Sequence, residues 1–421
     1  MMTRWPLSLS LGFCLIAASA HAETLWPEFR GPTAQGYSSA KGLPTEWGAD
    51  KNIRWRSAIA GKGWSSPIVA NGKIFITTAE NLTADPKAGV SLHAVALDAA
   101  TGKVAWDTEL FQQTDPKLLR AHPLNSQASP SAIYEDGRVY VHFGQHGSAC
   151  LDEAGKILWT SREHPYPPVH GTGGSPVIVD DLFIYNAEAE QDPAVIALDK
   201  TTGKTRWVVA RVSDAKKKFS FSTPLVIEVN GQKQVITAGS GIVQALNPKD
   251  GSEFWHVMYD QGYSVVPRPV YAHGMIFLST GFDKPIGLAI KVDAESKGDV
   301  TASHVVWQET KHVPQNPSML VVGDELYMLA DNGLLSCRDA RTNKVYFEER
   351  LLGTSWASLL FCDGLIYAVD EKGAAAVVKP GKTLQVVARN QISEKTFASM
   401  AVCDNDLLIR TEKAVYRVGK K

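Results

Sequence analysis

The stretch Ala96-Leu97-Asp98-Ala99-Ala100-Thr101-Gly102-Lys103-Val104-Ala105-Trp106 decides the fold, because it recurs. It returns as Leu151-Asp152, Gly155-Lys156 and Trp159, and again as Ala197-Leu198-Asp199, Thr202-Gly203-Lys204 and Trp207. Another copy is Ala245-Leu246-Asn247, Asp250-Gly251 and Trp255; a diverged one runs from Arg338-Asp339 through Thr342-Asn343-Lys344 to Phe347. An Asp or Asn side chain accepts hydrogen bonds from the backbone two residues on, and Gly takes the positive φ of the turn. Each copy therefore reads as a tight connection between two strands. The indole that follows is placed to lie flat against a neighbouring sheet.

A second signal precedes each copy. Ser66-Pro67, Ser129-Pro130, Ser175-Pro176, Thr223-Pro224, Arg268-Pro269, Ser318-Met319, Ser358-Leu359 and Ser399-Met400 each start an apolar run. Turn pairs such as Asn71-Gly72, Asp136-Gly137, Asn230-Gly231 and Asp363-Gly364 follow, and these are hairpin signals. Eight starts, four short strands per unit and no sustained 3.6-residue period predict an all-β, eight-bladed β-propeller of four-stranded antiparallel blades. The last unit ends near Tyr416 without its own Trp strand. Ile53-Arg54-Trp55 supplies it, so the N-terminal strand closes the ring and hides the edges an open array would expose. Trp55, Trp106, Trp159, Trp207, Trp255 and Trp307 are the expected docking residues between blades.

The 421-residue chain sets 43 Lys+Arg against 44 Asp+Glu, a formal charge of −1. Such a balance provides no field for gathering phosphates and argues against nucleic acid as a partner. Arg4, the apolar run Leu7 to Ala18 and Ala20-His21-Ala22 have the order of a secretory signal, with cleavage expected after Ala22. The run is too short to span a membrane. Phe13 before Cys14 speaks against lipid processing. The expected organisation is a signal peptide over 1–22, an extension over 23–52 and the propeller over 53–421, as a periplasmic or secreted monomer. Cys150 and Cys337 share one register and Cys362 and Cys403 another, each in different repeats, which reads as packing thiols.

All eight starts face one mouth of the central channel. The residues just ahead of them are the candidate ligand-binding set: Trp64, Asn125, Gln127, His170 with Gly171 to Gly174, Phe221, Arg268, Asn316 and Trp356. Aromatic platforms, amides and one fixed cation suit a small polar or planar ligand. Arg268 stands where other repeats carry Ser or Thr, so it needs an acid, a carbonyl or a ligand as partner. His164 and His170 flank three prolines in a rigid loop with no third ligand indicated, so no metal site is expected. G-x-S-x-G, H-E-x-x-H and G-x-x-x-x-G-K-[ST] are missing from the sequence, and no catalytic residue is assigned. Two insertions, Thr77 to Leu92 and Asp107 to Ala128, break the period; Asp115 to Arg120 in the second is expected to form one short helix.

The pattern A-[LV]-D-x-x-T-G-x-x-x-W resembles the tryptophan-docking motif of the pyrroloquinoline quinone (PQQ)-like propellers. That group includes the quinoprotein alcohol dehydrogenases and the BamB-type outer-membrane assembly proteins. Trp26-Pro27-Glu28-Phe29-Arg30-Gly31-Pro32 is similar to the opening of secreted bacterial proteins with PQQ-binding-like repeats, and the resemblance covers residues 26–421. It implies the fold and leaves the activity open, because a docking residue is structural. For a dehydrogenase it would imply PQQ on the axis, a Ca²⁺ ion, a carboxylate base and two adjacent cysteines. This sequence has no adjacent Cys pair and no D-x-D-x-D-G loop to supply oxygens for Ca²⁺. The expectation is therefore a non-catalytic binding or scaffold protein of the cell envelope, BamB-like, without cofactor, its partner an envelope protein or a small ligand. A PQQ-dependent oxidoreductase using the channel mouth, with calcium, is the alternative.

Overall fold

Eight antiparallel sheets of four strands each follow one another around a ring in the computed structural model, which describes residues 25–187 and 189–420. The signal segment 1–22, its cleavage after Ala22 and Cys14 lie outside the described residues. The innermost strands of blades one to eight are Ile68–Ala70, Ile133–Glu135, Val177–Val179, Leu225–Val229, Val270–Ala272, Leu320–Val322, Leu360–Cys362 and Ala401–Cys403. Each begins two residues after the start position that defines its unit. One start is thereby corrected: Ile133 puts Ser131, rather than Ser129, in register with Ser66 and Ser175. Two sheets gain a short parallel strand, Tyr37–Ser38 on blade seven and Gly298–Asp299 on blade four.

Burial along the strands follows from their place in a blade. Middle strands are covered on both faces and read as continuous apolar runs, as in Leu182–Ala187. Outer strands alternate, as in Thr205–Ala210, because one face packs and the other meets water. Ile53–Ala58 pairs antiparallel with Ala414–Val418, Arg56 opposite Tyr416, and completes blade eight. The expected short helix over Asp115–Arg120 is a single turn instead, in which the Leu118 and Leu119 N–H groups donate to the Asp115 carbonyl. Cys150, Cys337, Cys362 and Cys403 are buried thiols outside any disulfide among the described residues.

Five of the six docking tryptophans bridge blades in the same way. The indole Nε1 of Trp55, Trp106, Trp159, Trp207 and Trp307 donates to a carbonyl of the next blade, at Ala99, Glu153, Lys200, Pro248 and Ala340 respectively. For the first four the ring lies on the turn glycine: a Cβ on Gly102, Gly155, Gly203 or Gly251 would come within 3.0 Å of it. Where Trp307 docks, Asn343 takes the positive φ in place of Gly. Trp255 departs from the pattern, being fully buried and donating to Gln234 Oε1 inside its own blade. The following unit lacks the Thr-Gly turn that would receive it.

Residues 25–52 cross the far end of the channel. Trp26 pairs by backbone with Val69 of blade one, and the Pro27 carbonyl accepts the Tyr134 N–H of blade two. Arg268 of blade five donates to the Phe29 carbonyl at 2.7 Å and to Glu28 Oε2 at 2.9 Å. Arg30 donates to the Met319 carbonyl of blade six, and Gly36 accepts Phe361 N–H of blade seven. Touching five blades, this segment is a plug. On blades one, two and seven its contacts fall at Val69, Tyr134 and Phe361, three residues after Ser66, Ser131 and Ser358.

Candidate functional site

The first ring of the site is a girdle of hydroxyls. Ser66 N–H donates to Ser131 Oγ (2.8 Å), Ser131 to Ser175 (2.9 Å) and Ser175 to Thr223 Oγ1 (2.9 Å). On the other side Arg268 N–H donates to Ser318 Oγ (3.0 Å), Ser318 to Ser358, Ser358 to Ser399 and Ser399 back to Ser66. Each buried N–H that a strand cannot pair is thus satisfied by the next blade. The circle breaks once, at Arg268, which has no hydroxyl to offer Thr223. Its guanidinium closes the gap differently, Nε donating to the Pro224 carbonyl at 2.9 Å.

Two residues ahead of the girdle lies a second ring, in blade order Trp64, Ser129, Gly173, Phe221, Val266, Asn316, Trp356 and Phe397. All eight line one cavity of about 440 Å³ at the channel mouth, with Phe29 of the plug among its walls. Phe397 lies between Trp64 and Trp356, ring centroids 4.5 and 4.8 Å away, forming one aromatic wall over blades seven, eight and one. Phe221, Tyr263 and Phe282 contribute an aromatic side from blades four and five. Asn125 with His122, and Asn316 with Gln315 and Asp331, supply polar stretches between them. Lys62, Lys395 and Lys217 sit over the rings of Trp64, Phe397 and Tyr263.

Of the residues singled out from sequence, Trp64, Asn125, His170, Phe221, Asn316 and Trp356 line this cup. Gln127 and Arg268 do not. Gln127 is buried behind the wall, donating to the Leu119 carbonyl and accepting from His146 Nε2. Arg268 is turned away from the mouth into the plug; its own alternation with Ser and Thr marked a break in the girdle, and a fully buried guanidinium needs the acceptors found there. Asn125 spends all its side-chain hydrogen bonds on fixing loops: Nδ2 donates to the His170 and Thr172 carbonyls, and Oδ1 accepts from Ser126 N–H and Ser129 Oγ. His164 Nε2 pairs with Thr205 Oγ1, away from the cup, while His170 packs edge-on to His122. Burial holds the His170 pKa below its ordinary value, with His122, Lys217 and Arg120 adding to the effect.

Sequence reading missed Phe397, Asp331 and the floor residue Phe29. Phe397 had a signal, since it stands two residues before Ser399 as Trp64 does before Ser66. Among the described residues Asp331 is the one carboxylate on the cup wall. It accepts from Asn316 Nδ2 and from Gln315 N–H, and burial raises its pKa above the ordinary carboxylate range despite those bonds. Outside the cup, Glu80, His93 and Asp107 bring ligand-type atoms together on blade one. Both nitrogens of His93 are engaged there, Nδ1 by Asp107 and Nε2 by Ser91.

Comparison with known proteins agrees with this architecture. The family described as "Outer membrane protein assembly factor BamB" matches residues 91–297, just under half of the chain. A polyvinylalcohol dehydrogenase of Sphingopyxis sp. (strain 113P3) is 26% identical over 270 residues; the match takes in 48% of this chain and only 39% of that protein's length. BamB from Moraxella catarrhalis superposes with a TM-score of 0.58 at 13% identity, over 87% of this chain and 96% of that one. A europium-containing methanol dehydrogenase superposes with a TM-score of 0.56 at 11% identity, over 93% and 90%. Similarity at that level speaks for the fold alone. Its docking motif, its blades and these matches support a PQQ-like β-propeller. Among the described residues no helix is long and apolar enough to cross a membrane.

Proposed function

We propose that this protein is an exported, non-catalytic binding protein of the cell envelope that holds its ligand or partner in the cup at the channel mouth. The observation that carries the reading is the chemistry of the cup wall. It is aromatic and hydroxylic, and among the described residues it has no lining Arg or Lys and a single carboxylate, Asp331, which already accepts two hydrogen bonds. The BamB-type family match supports a role beside envelope proteins. The sequence features of an export signal support the compartment.

A PQQ-dependent oxidoreductase is the second reading, favoured by the partial likeness to a polyvinylalcohol dehydrogenase. The donor set fits it poorly. Ca²⁺ takes about six to eight oxygens, and one carboxylate with amides beside it falls short of that. PQQ carries three carboxylates, and among the described residues no Arg or Lys lines the wall to meet them; Lys62, Lys217 and Lys395 are instead placed over wall aromatics. The two readings separate in one experiment. Purified protein is incubated with PQQ and Ca²⁺ and assayed for dye-linked oxidation of small alcohols and polyvinyl alcohol. No turnover above a heat-denatured control is expected; sustained turnover would replace the binding reading with the second one.

A further inference from the structure

We infer that the cup takes the terminal unit of a neutral saccharide chain, an inference that rests on the binding reading above and specifies its ligand. Three features point the same way. The plug segment is bound to five blades beneath the cup and puts Phe29 among its walls, which favours entry of an end or a branch over threading of a chain. Among the described residues no Arg or Lys lines the wall, the lysines Lys62, Lys217 and Lys395 lie over the rings of wall aromatics, and the wall carboxylate is already engaged, so the lining itself is neutral in its free hydrogen-bonding groups. The cavity, at about 440 Å³, lies in the range of small-ligand sites.

Hydrogen-bond accounting narrows the class. The seven girdle hydroxyls each accept one backbone N–H, and a hydroxyl keeps its own proton to donate. All seven line the cup. A floor of O–H donors calls for a ligand rich in oxygen acceptors. Above it, Trp356 is half-buried, backed by the Phe397 ring and fixed by donation of Nε1 to Glu371. An aromatic face held in this way suits the C–H face of a pyranose ring. Apolar ring faces combined with many neutral oxygens describe a sugar better than an alkyl chain or an ion.

The test titrates the full-length mature protein with malto-, cello- and chito-oligosaccharides, from di- to hexasaccharide, by calorimetry and tryptophan fluorescence. At least one series is expected to bind saturably, with affinity that stops rising after the first few units because only the end is held. Trp356→Ala should weaken it about tenfold. Phe221→Ala is the second variant should Trp356→Ala fail to fold, as judged by its melting curve. Absence of saturable binding in every series up to about 10 mM would overturn the inference. Affinity that keeps growing to the hexasaccharide, or is unchanged in a folded Trp356→Ala, would do the same. Quinone turnover in the assay above defeats the binding reading itself, whereas failed saccharide binding without turnover defeats only its ligand.

Discussion

Arg268 Nη2 lies 2.9 Å from Glu28 Oε2, so the residue that interrupts the hydroxyl girdle is also the clasp of the channel plug. Its position in the repeat calls for a small hydroxyl. Its actual side chain instead gathers the Pro224 carbonyl, the Phe29 carbonyl and the Glu28 carboxylate, three acceptors from two separate parts of the chain.

Arg268→Ser is therefore expected to destabilise the fold although it restores the repeat. The new hydroxyl can serve Thr223 N–H, but three buried or half-buried acceptors lose their donor. A loss of about 2–4 kcal/mol in urea unfolding is expected. Glu28→Gln keeps an acceptor oxygen and should cost about 1 kcal/mol. Proteolysis within residues 25–36 should accelerate in the first variant. Unchanged stability and unchanged cleavage would show that the plug is held without the clasp.

The girdle makes its own prediction. Ser358→Ala removes the acceptor for the buried Ser318 N–H and should cost about 1–3 kcal/mol. Ser358→Thr keeps the oxygen, as Thr223 does naturally, and should stay within about 0.5 kcal/mol of the parent. Thermal melts of the two variants side by side give the comparison.

Two glycines of similar backbone conformation separate turn strain from docking. Gly137 has φ +76° with nothing within 4 Å of an added Cβ, so Gly137→Ala should cost about 1 kcal/mol for the left-handed conformation alone. Gly203 has φ +72°, and a Cβ there would lie 2.5 Å from Trp159 Cε3. Gly203→Ala should add overpacking of about 1–3 kcal/mol to that strain. Equal melting temperatures for the two would mean that the indole moves away without penalty.

Acid should weaken the protein through blade two. Burial holds His142 and His146 down to about 3, His146 adding to the shift of His142 and Arg162 to that of His146. Their folded pKa lies below the unfolded value of about 6.5, so the unfolded chain takes up protons first. Stability is complete above about pH 6.5 and declines as pH falls toward 3, by up to about 1.4 kcal/mol per pH unit for each group. His142→Gln/His146→Gln should flatten the pH dependence of urea midpoints across that window, and equal slopes in parent and variant would exclude the pair as the cause.

The ring was legible because its signals are local. The Asp98–Gly102 turn and Trp106 announce themselves within eleven residues, and each repetition strengthens the reading. Register was harder: Ser129 and Ser131 flank one proline, and only pairing of Ile133 with Tyr140 shows which serine joins the girdle. The mouth was partly legible, since Trp64, Phe221, Asn316 and Trp356 stand at a fixed distance from the starts, and Phe397 obeys the same spacing. Phe29 and the clasp were not, because no local pattern tells residue 29 that it will lie beside residue 268. Trp255 shows the converse, a strong local signal redirected by Gln234 where the next blade offers no matching turn.

The pairing of Ile53–Ala58 with Ala414–Val418 has a consequence for how the molecule forms. The strand that closes the ring precedes every strand of blade one in the sequence, and its Arg56 pairs with Tyr416 of the last blade. Joining the two ends closes a loop as long as nearly the whole propeller, an entropic cost that falls as the intervening blades fold and bring the ends together. Until then the first blade carries its plug and its docking indole without a neighbour on one side, and the last has an open edge. A chain shortened by its final dozen residues would lose more than one strand. It would also leave Ile53–Ala58 without the strand it pairs with in blade eight.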